Sequence, residues 1–257
     1  MADERYIEFK QVKKAFDGKA VFDDLSLSIQ RGESISIIGG SGSGKSVMLR
    51  LLIGLLHADS GTICFDGKDV VQMNEEELLG IRRRISIMFQ GGALFDSLTV
   101  GENVAYPLRE QLDLSEGEIE SRVAAKLKLV DLEGIEAQLP SSLSGGMRKR
   151  VALARAIVAD PEVILFDEPT AGLDPINTRR VDDLIRSIQR SQHITTIVVT
   201  HDLPSAYRVS DRIAMLSERK ILAVLPPSEF RRTPIEAIHE FVTAMDEDAA
   251  LPVARKP

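Results

Sequence analysis

Ile35-Ser36-Ile37-Ile38 leads directly into Gly39-Gly40-Ser41-Gly42-Ser43-Gly44-Lys45-Ser46, and this stretch decides how the rest of the chain is interpreted. The first four residues form a largely apolar, β-branched run that predicts a strand. The residues from Gly39 to Ser46 fit the pattern G-x-x-x-x-G-K-[ST]. Apolar residues at helical spacing come next, at Met48, Leu51, Leu52 and Leu55. A strand, a glycine-rich turn and a helix in this order predict a phosphate-binding loop.

The chemistry of this loop depends on its backbone, its lysine and its last serine. Glycines let the backbone curl so that successive N–H groups point at phosphate oxygens, and the start of the helix adds its positive dipole end. We predict that Lys45 reaches the β- and γ-phosphates of a nucleotide and that Ser46 offers its hydroxyl to Mg²⁺, which prefers oxygen ligands. The alternative is a flexible glycine turn, and the position between a strand and a helix argues against it.

A second candidate site follows the apolar run Val163 to Phe166, where Asp167 and Glu168 are adjacent. Open α/β sheets bind their ligands at the carboxyl ends of strands. Since side chains alternate along a strand, these two carboxylates point in different directions. We predict that Asp167 supports Mg²⁺ and that Glu168 is the general base facing the γ-phosphate and an attacking water. A solvated turn is the alternative, and the phosphate loop upstream favours the functional interpretation.

The composition of the chain argues against several classes of protein. It has 257 residues, of which 44% are hydrophobic, and its formal net charge is −7. The acidic balance and the lack of Trp argue against nucleic-acid binding. Cys64 is the single cysteine, so an intrachain disulfide is impossible, and no apolar run reaches the roughly 20 residues of a membrane span. No apolar targeting region follows the acidic N-terminus, so secretion is not expected.

The order of periodic segments predicts an α/β fold with one insertion. Short strands alternate with turns over residues 5–38, and β-branched runs return at 163–166 and 195–199 with an amphipathic helix between them. This alternation favours a mostly parallel sheet covered by helices. A charged, helix-favouring stretch from about residue 99 to 139 predicts an inserted helical subdomain. Prolines at 226, 227 and 234 mark a boundary, so we expect one domain over residues 1–232 and a C-terminal extension over residues 233–257.

Leu143-Ser144-Gly145-Gly146 introduces another stretch with the apolar spacing of a helix. A hydroxyl, two glycine amides and a helix N-terminus form a second anion site. Together with the two sites above, this motif resembles the signature of the ATP-binding subunits of ATP-binding-cassette (ABC) transporters, and the resemblance covers about residues 5–225. It implies a RecA-like P-loop NTPase core of the α/β class, with an antiparallel β subdomain and a helical subdomain at about residues 91–158.

The resemblance implies that the signature acts on a second subunit. In this family Ser144, Gly145 and Gly146 would complete the ATP site of a sister copy, so that two ATP molecules are sandwiched in a head-to-tail dimer. Met147 stands where the family usually has Gln. Only the backbone donors are therefore expected to act at that position.

Four further residues match landmarks of the family in the expected order, although each alone would be read as structural. The resemblance implies that Phe16 stacks on adenine and that Gln90 touches Mg²⁺ or water and senses a permease. It also implies that Asp174 lies in a loop crossing the dimer interface and that His201 contacts the γ-phosphate. Hydrolysis of ATP to ADP and phosphate, with Mg²⁺ as cofactor, is the implied reaction.

A finer resemblance, carried by residues 89–104 and 144–151, is to the Mla/Mce branch of these ATPases. It implies lipid transport, of phospholipid above all, through an integral membrane permease with a lipid-binding MCE protein, and places the chain on the cytoplasmic face of the inner membrane. Leu94 and Phe95 are then expected to line a groove for a permease helix. An ATPase for amino-acid or lipoprotein cargo and a soluble cassette outside transport are the alternatives.

The C-terminal extension carries one more apolar stripe. Ile235, Ile238, Phe241, Val242 and Met245 recur at helical spacing and predict an amphipathic helix. Three turns alone are marginal in water, so the apolar face must be covered. The sequence leaves open whether the cover is the chain's own core, the sister subunit or a STAS-domain regulatory protein of the kind found in Mla-type systems. Residues 246–257 are expected to be disordered.

Overall fold

A computed structural model describes residues 5–249, with side chains as far as residue 244. Its strands are β1 (Arg5–Phe16), β2 (Lys19–Gln30), β3 (Ser34–Ile38), β4 (Ser60–Phe65), β5 (Lys68–Asp69), β6 (Ile85–Met88), β7 (Val163–Asp167), β8 (Thr195–Val199), β9 (Arg212–Ser217) and β10 (Lys220–Leu225). They form a 10-stranded sheet in the order β5-β4-β1-β2-β10-β9-β3-β8-β7-β6. The predicted α/β fold with an added antiparallel part is confirmed.

The helices of the same range are α1 (Lys45–Leu52), α2 (Glu75–Arg84), α3 (Val100–Gln111), α4 (Glu116–Leu129), α5 (Gly145–Ile157), α6 (Pro175–Gln192), α7 (Leu203–Val209), α8 (Pro227–Phe230) and α9 (Glu236–Ala249). Helices α2, α3 and α4 each begin with a capping box, which satisfies backbone donors that a helix start leaves free. Within residues 5–249 none of these helices combines the length and the apolar character needed to cross a bilayer.

The functional half of the sheet is parallel. Strand β3 pairs in parallel with β8 and β9, and β7 pairs in parallel with β8 and β6. Every residue of β3, β7 and β8 is buried, as expected for a sheet covered on both faces. The carboxyl ends of β3, β6, β7 and β8 therefore lie along one edge, and the loops that leave them are neighbours.

The antiparallel half is built from β1, β2, β4 and β5, which we call the β arm. Strand β1 pairs antiparallel with both β2 and β4, and β4 pairs antiparallel with β5. Phe9, Phe22 and Phe65 are buried in a core cluster that also takes in Leu49 and Leu52 of α1. The arm is thus packed on the helix that follows the glycine loop.

Helices α3, α4 and α5 form the helical subdomain around a second cluster that includes Val104, Val123 and Leu153. Asn103 of α3 is completely buried, and its amide accepts from Phe95 N–H and donates to the carbonyls of Phe95 and Leu98. This single side chain fixes the loop before α3. Residues 99–139 and the segment 91–158 contain the predicted helices, and the loop from 90 to 99 joins them to β6.

Helix α9 covers the chain's own core rather than standing free. Ile238 is fully buried, and Phe241 and Val242 pack beside it against a third cluster containing Phe230 and Met215. Met245 lies outside the described side chains. The expectation of disorder from residue 246 is wrong for residues 246–249, which continue the helix, because no helix-breaking residue occurs before Pro252. Residues 250–257 lie outside the described part.

A polar network joins the β arm to the parallel sheet. Glu162, just before β7, accepts hydrogen bonds from Tyr6 Oη at 2.7 Å, Arg31 Nη1 at 2.9 Å and Arg84 Nε at 2.5 Å. Arg84 also donates to Asp66 at 2.5 Å and lies over the ring of Phe65. The Arg84 hydrogen bond, ahead of those from Tyr6 and Arg31, lowers the pKa of Glu162 to about 2. We call these residues, Tyr6, Arg31, Asp66, Arg84 and Glu162, the Glu162 network.

Glu162→Gln should lower the free energy of unfolding by about 1–2 kcal/mol at pH 7, a value reduced because the Glu162 side chain is 36% exposed. The pKa of Glu162 is lower in the folded chain than in the unfolded chain, so the ionised carboxylate stabilises the fold at pH values above the ordinary pKa of a glutamate. This contribution to the free energy of unfolding is lost as the pH falls toward 2. The difference between the two proteins should therefore shrink from pH 5 to pH 3 in urea-unfolding measurements. Glu133→Gln, at an exposed ion pair with Lys128, is the control and should match the unmodified protein. A pH-independent difference would contradict the network's charge-based role.

Candidate functional site

The glycine loop lies between the end of β3 and the start of α1, as predicted. Gly44 has a φ of 103° and caps α1, and a Cβ at this position would lie 2.6 Å from Val21 and 2.8 Å from the Phe22 ring. At Gly39 a Cβ would lie 2.3 Å from the carbonyl oxygen of Leu216. Both positions therefore need glycine. The loop Gly39, Gly40, Ser41, Gly42, Ser43 is left as a cradle of backbone at the helix start.

Two side chains of the loop face inward. Lys45 Nζ donates to the carbonyls of Gly39 at 2.8 Å and Gly40 at 3.1 Å. Burial lowers the pKa of Lys45, while the charges of Glu168 and Asp167 act in the opposite direction. Ser43 Oγ is buried and has no hydrogen-bond partner among the described residues. A buried hydroxyl without a partner beside a backbone cradle fits an anionic ligand that brings its own acceptors.

Ser46 and Asp167 meet across the sheet edge, although 121 positions separate them in sequence. Ser46 Oγ donates to Asp167 Oδ1 at 2.9 Å, and Asp167 is buried at the end of β7. Within residues 5–249 no group of three or more His, Cys, Asp or Glu residues could hold a metal. A hydroxyl and one carboxylate fit Mg²⁺ in the form in which it is usually bound with nucleotides, where phosphates and water supply the remaining oxygens.

Glu168 and His201 form the second half of this site. His201 Nδ1 lies 2.9 Å from Glu168 Oε1, and Thr200 Oγ1 donates to Glu168 Oε2 at 3.3 Å. The backbone N–H of Glu168 donates to Val199 at 2.8 Å. Glu168 has a φ of 51°, which is uncommon for a residue with a side chain. The left-handed turn directs its carboxylate away from that of Asp167 and toward the loop after β8.

Gln90 follows β6 on the same edge of the sheet. Its side chain is exposed, and its backbone carbonyl accepts a hydrogen bond from Lys149. The structure therefore places Gln90 in the loop at the strand end, with its backbone rather than its side chain held by the protein.

The signature lies at the start of α5. Ser144 is exposed and caps the helix, with its Oγ accepting from the Met147 N–H at 3.3 Å. Gly145 is exposed beside it, and a Cβ at Gly146 would lie 2.7 Å from Asn177 Oδ1 of α6. Met147 packs against the helical subdomain's cluster. The exposed hydroxyl and glycine backbone leave this anion site open to another molecule.

Asp174 and Phe16 occupy exposed positions away from the Glu168 pair. Asp174 caps α6, accepting from the N–H groups of Ile176 and Asn177 at 3.0 Å each, and the Asn177 bonds lower its pKa. Phe16 ends β1 with 40% of its surface exposed, and Lys14 Nζ lies 5.1 Å from its ring centre. An exposed aromatic ring beside a cation is available for stacking.

Sequence reasoning missed two cations of α5 that hold backbone carbonyls, the buried Lys149 and the partly buried Arg155. Lys149 donates to the carbonyls of Gln90 and, at 3.3 Å, of Glu168. Arg155 donates to Gly92 at 2.6 Å and Ala93 at 2.8 Å. A lysine or arginine within a helix is usually solvent-exposed, so nothing in the residue types marked these two. Thr200 was missed as well, and its position next to His201 was the available signal.

The fold and these sites define an ATP-binding cassette. Residues 22–171 match the family described as ABC transporter, and the chain belongs to that family, as an ATP-binding and ATP-hydrolysing subunit. The chain is 33% identical to the cassette MJ0796, whose dimeric structure was solved with ADP and Pi; the match covers 86% of this chain and 98% of that one, with a TM-score of 0.79. It is 29% identical to cbiO1 of Clostridium perfringens over 97% of both chains, with a TM-score of 0.82.

Within this family, the chain is similar to two kinds of transport ATP-binding protein. The chain is 38% identical to the intermembrane phospholipid transport system ATP-binding protein MlaF of Escherichia coli K12, over 92% of this chain and 88% of the relative. It is 43% identical to the probable ribonucleotide transport ATP-binding protein mkl of Mycobacterium leprae, over 90% of this chain. The chain spans about two thirds of the length of the Mycobacterium relatives, 67% in M. leprae and 64% in M. bovis.

Lys45→Ala and Glu168→Gln should separate nucleotide binding from turnover. Lys45 supplies a buried positive charge to the phosphate loop, so its loss should weaken ATP affinity at least about tenfold, or about 1.4 kcal/mol. Glu168→Gln keeps the shape of the side chain but removes the carboxylate that is predicted to activate water, so affinity should stay within about threefold while turnover falls about 100-fold or more. Fluorescent-nucleotide titration and phosphate release measure the two effects.

Lys128→Ala, an exposed lysine of α4, is the matched control for Lys45→Ala and should leave both quantities unchanged. Near-normal phosphate release by Glu168→Gln would show that another group activates water.

Proposed function

We propose that this chain powers lipid transport, of phospholipid above all, through a membrane permease by binding ATP, closing as a head-to-tail dimer and hydrolysing ATP. The observation that carries the catalytic part is the convergence of Lys45, Ser46, Asp167, Glu168 and His201 at one sheet edge. The 38% identity to a phospholipid transport ATPase supports the cargo.

The binding step assigns a role to each group of the phosphate loop. Backbone N–H groups from Gly39 to Gly44 and the Ser43 hydroxyl would donate to the phosphate oxygens, and the Lys45 ammonium would exchange the carbonyls of Gly39 and Gly40 for phosphate oxygens. Ser46 and Asp167 would hold Mg²⁺, with Gln90 reaching the same ion or its water. Bound there, Mg²⁺ supplies charge neutralisation of the phosphates. Phe16 at the end of the β arm would stack on adenine.

The hydrolysis step centres on Glu168. Its carboxylate would orient or deprotonate the attacking water, and His201 and Thr200, which contact opposite oxygens, would fix the direction of the carboxylate. The His201 ring is mostly exposed, which leaves its other nitrogen free to reach the γ-phosphate of a bound nucleotide. The site holds these groups on rigid strand ends, as electrostatic catalysis requires.

Dimer closure would bring the signature of one copy to the phosphate loop of the other. Ser144 and Gly145 are exposed, and Asp174 starts α6 beside them, so the three would face the sister subunit. ATP binds the closed state more tightly than the open one, which is how binding drives closure. The dimeric structure of the relative MJ0796 supports this arrangement.

The isolated chain should be mostly monomeric without ATP, because its net charge of −7 opposes self-association and its signature site lacks a bridging nucleotide. Glu168→Gln with ATP and Mg²⁺ should shift it toward a dimer, since bound ATP is retained. Analytical ultracentrifugation measures both states, with Lys45→Ala as the ATP-binding control. A tight dimer without nucleotide would contradict this mechanism.

The surface proposed for the permease is an apolar groove of about 490 Å³ between the parallel sheet and the helical subdomain. Phe95 and Tyr106 are 43% and 42% exposed there, with ring centres 5.0 Å apart, and Leu55 is 53% exposed. Leu94 was expected to share this role, but it packs into the helical subdomain's cluster because its neighbour Phe95 takes the outward position. The apolar lining of the groove favours the apolar face of a short amphipathic helix.

The remaining partners follow from the MlaF resemblance. A lipid-binding MCE protein and a STAS-domain regulatory protein belong to the proposed assembly, which would place this chain on the cytoplasmic face of the inner membrane. Because Ile238 is buried in the chain's own core, with Phe241 and Val242 packed beside it, a regulator would have to bind outside these three residues. Ribonucleotide cargo is the second candidate, favoured by the name of the 43% identical relative.

Tyr106→Ala should reduce co-purification of the permease with the full-length chain at least about fivefold, since exposed aromatic residues at the centre of a groove are frequent binding hot spots. ATP affinity should be unchanged, because Tyr106 lies outside the phosphate site. Leu129→Ala, at an exposed apolar residue of α4 outside this groove, is the control and should co-purify normally. Equal recovery of the permease with both variants would exclude this groove as its docking site.

Mass spectrometry of the complex purified in detergent tests the cargo. Bound phospholipid is the expected result, and a ribonucleotide bound by the permease or its binding protein would favour the second candidate.

A further inference from the structure

Lys149 is a buried cation close to the catalytic groups. It lies on α5, and only 6% of its surface is exposed. Its Nζ donates to the backbone carbonyl of Gln90 and, at 3.3 Å, to that of Glu168. An ammonium group has three donors, so one lysine can hold two loops at once.

The two loops leave adjacent strands. Met88 of β6 pairs with Phe166 of β7, so Gln90 and Glu168 each lie two residues beyond a paired position. Lys149 therefore ties the signature helix to the ends of both strands. Burial lowers the pKa of Lys149, and the charges of Glu168 and Asp167 oppose that effect.

The Glu168 backbone needs such a partner. Its φ of 51° is a left-handed conformation that a glutamate adopts only when surrounding bonds hold it. The N–H is held by Val199 and the carboxylate by His201 and Thr200. Lys149 holds the carbonyl, and thus sets the orientation of the peptide that follows Glu168.

Helix α5 also holds the loop of residues 90–93, which leads to the groove. Arg155 donates to the carbonyls of Gly92 and Ala93, and a Cβ on Gly92 would lie 3.3 Å from that of Ala152. Residues 90–93 are therefore laid along α5. Phe95, two positions beyond Ala93, lines the groove, and Arg155 Cζ lies 5.9 Å from the centre of its ring.

We propose that Lys149 is a positioning residue that couples the Gln90 loop and the signature helix to Glu168, so that a displacement of the groove segment changes the orientation of the catalytic carboxylate. The inference rests on the proposed role of Glu168 as the residue that activates water. It does not depend on the cargo.

Kinetics of the full-length chain give the first test. Lys149→Met removes the donors but keeps the length of the side chain, so kcat should fall at least about tenfold. KM and ATP affinity should stay within about threefold, because the phosphate loop is untouched. Lys149→Arg retains the charge and the donors and should restore most of the lost turnover.

Arg150→Met is the matched control. Arg150 is also buried on α5, and it also donates to two carbonyls, those of Val130 at 2.8 Å and Asp131 at 2.9 Å, but these lie in the helical subdomain. A role limited to stability would make the two variants equal in kcat. Should Lys149→Met not fold, Lys149→Gln takes its place.

Hydrogen exchange of the same variants reports the coupling without depending on turnover. Lys149→Met should speed amide exchange at residues 90–93 and 168–171, while Arg150→Met should speed it near residues 130–132. Normal exchange in both loops of Lys149→Met, or a kcat no lower than that of Arg150→Met, would overturn the proposal. If Glu168→Gln hydrolyses ATP normally, the role of Glu168 fails, and the exchange data still decide whether Lys149 holds the loops.

Discussion

The parallel register of β3, β8, β7 and β6 is the constraint on which the site depends. It brings the loops after four strands to one edge, so that Ser46 meets Asp167 at 2.9 Å across 121 positions of sequence. Strands β3, β7 and β8 are buried throughout, which holds their ends rigidly. The sheet alone therefore brings together the phosphate loop, Asp167, Glu168 and His201, and no attraction between these groups is needed. A shift of one residue in the pairing of β7 with β8 would turn the Asp167 side chain to the other face of the sheet, away from Ser46.

Helix α5 connects the parts of this arrangement that the sheet does not. Its start carries the signature, with Ser144 and Gly145 exposed, and Lys149 and Arg155 hold backbone carbonyls in two loops. Helix α5 thus contacts both loops while its start stays exposed. In this molecule the groove, the Gln90 loop and Glu168 are successive neighbours along one side of α5. The groups that accept these hydrogen bonds are backbone carbonyls. The contact between α5 and the two loops is therefore independent of most of the side chains in those loops.

Local patterns in the sequence predict most of the fold and the residues of the site. The phosphate loop and the Asp167-Glu168 pair each combine a strand with a characteristic end, so their positions follow from short-range rules. Prediction from sequence fails where the exposure of a side chain depends on which neighbour covers it. Leu94 and Phe95 are adjacent and both apolar, and only packing decides which of them faces the groove. Lys149 could not be distinguished from an exposed lysine, because burial of a cation depends on distant carbonyls. The end of α9 is a further difference: the acidic run from Asp246 predicts a disordered tail, but the helix continues to Ala249 because no helix-breaking residue occurs before Pro252.

The Glu162 network also has a consequence for how the chain folds. Its contacts join residues 156, 131 and 78 positions apart. Such non-local contacts form late and together, because loop closure must precede them. The β arm and the parallel sheet should thus behave as one cooperative unit, with no stage at which the arm is native and the sheet is not. Phe16 ends β1 of this arm, so it should keep a fixed distance from the Gly39–Ser46 loop, and a nucleotide stacked on its ring as proposed would meet both sites as one preformed surface.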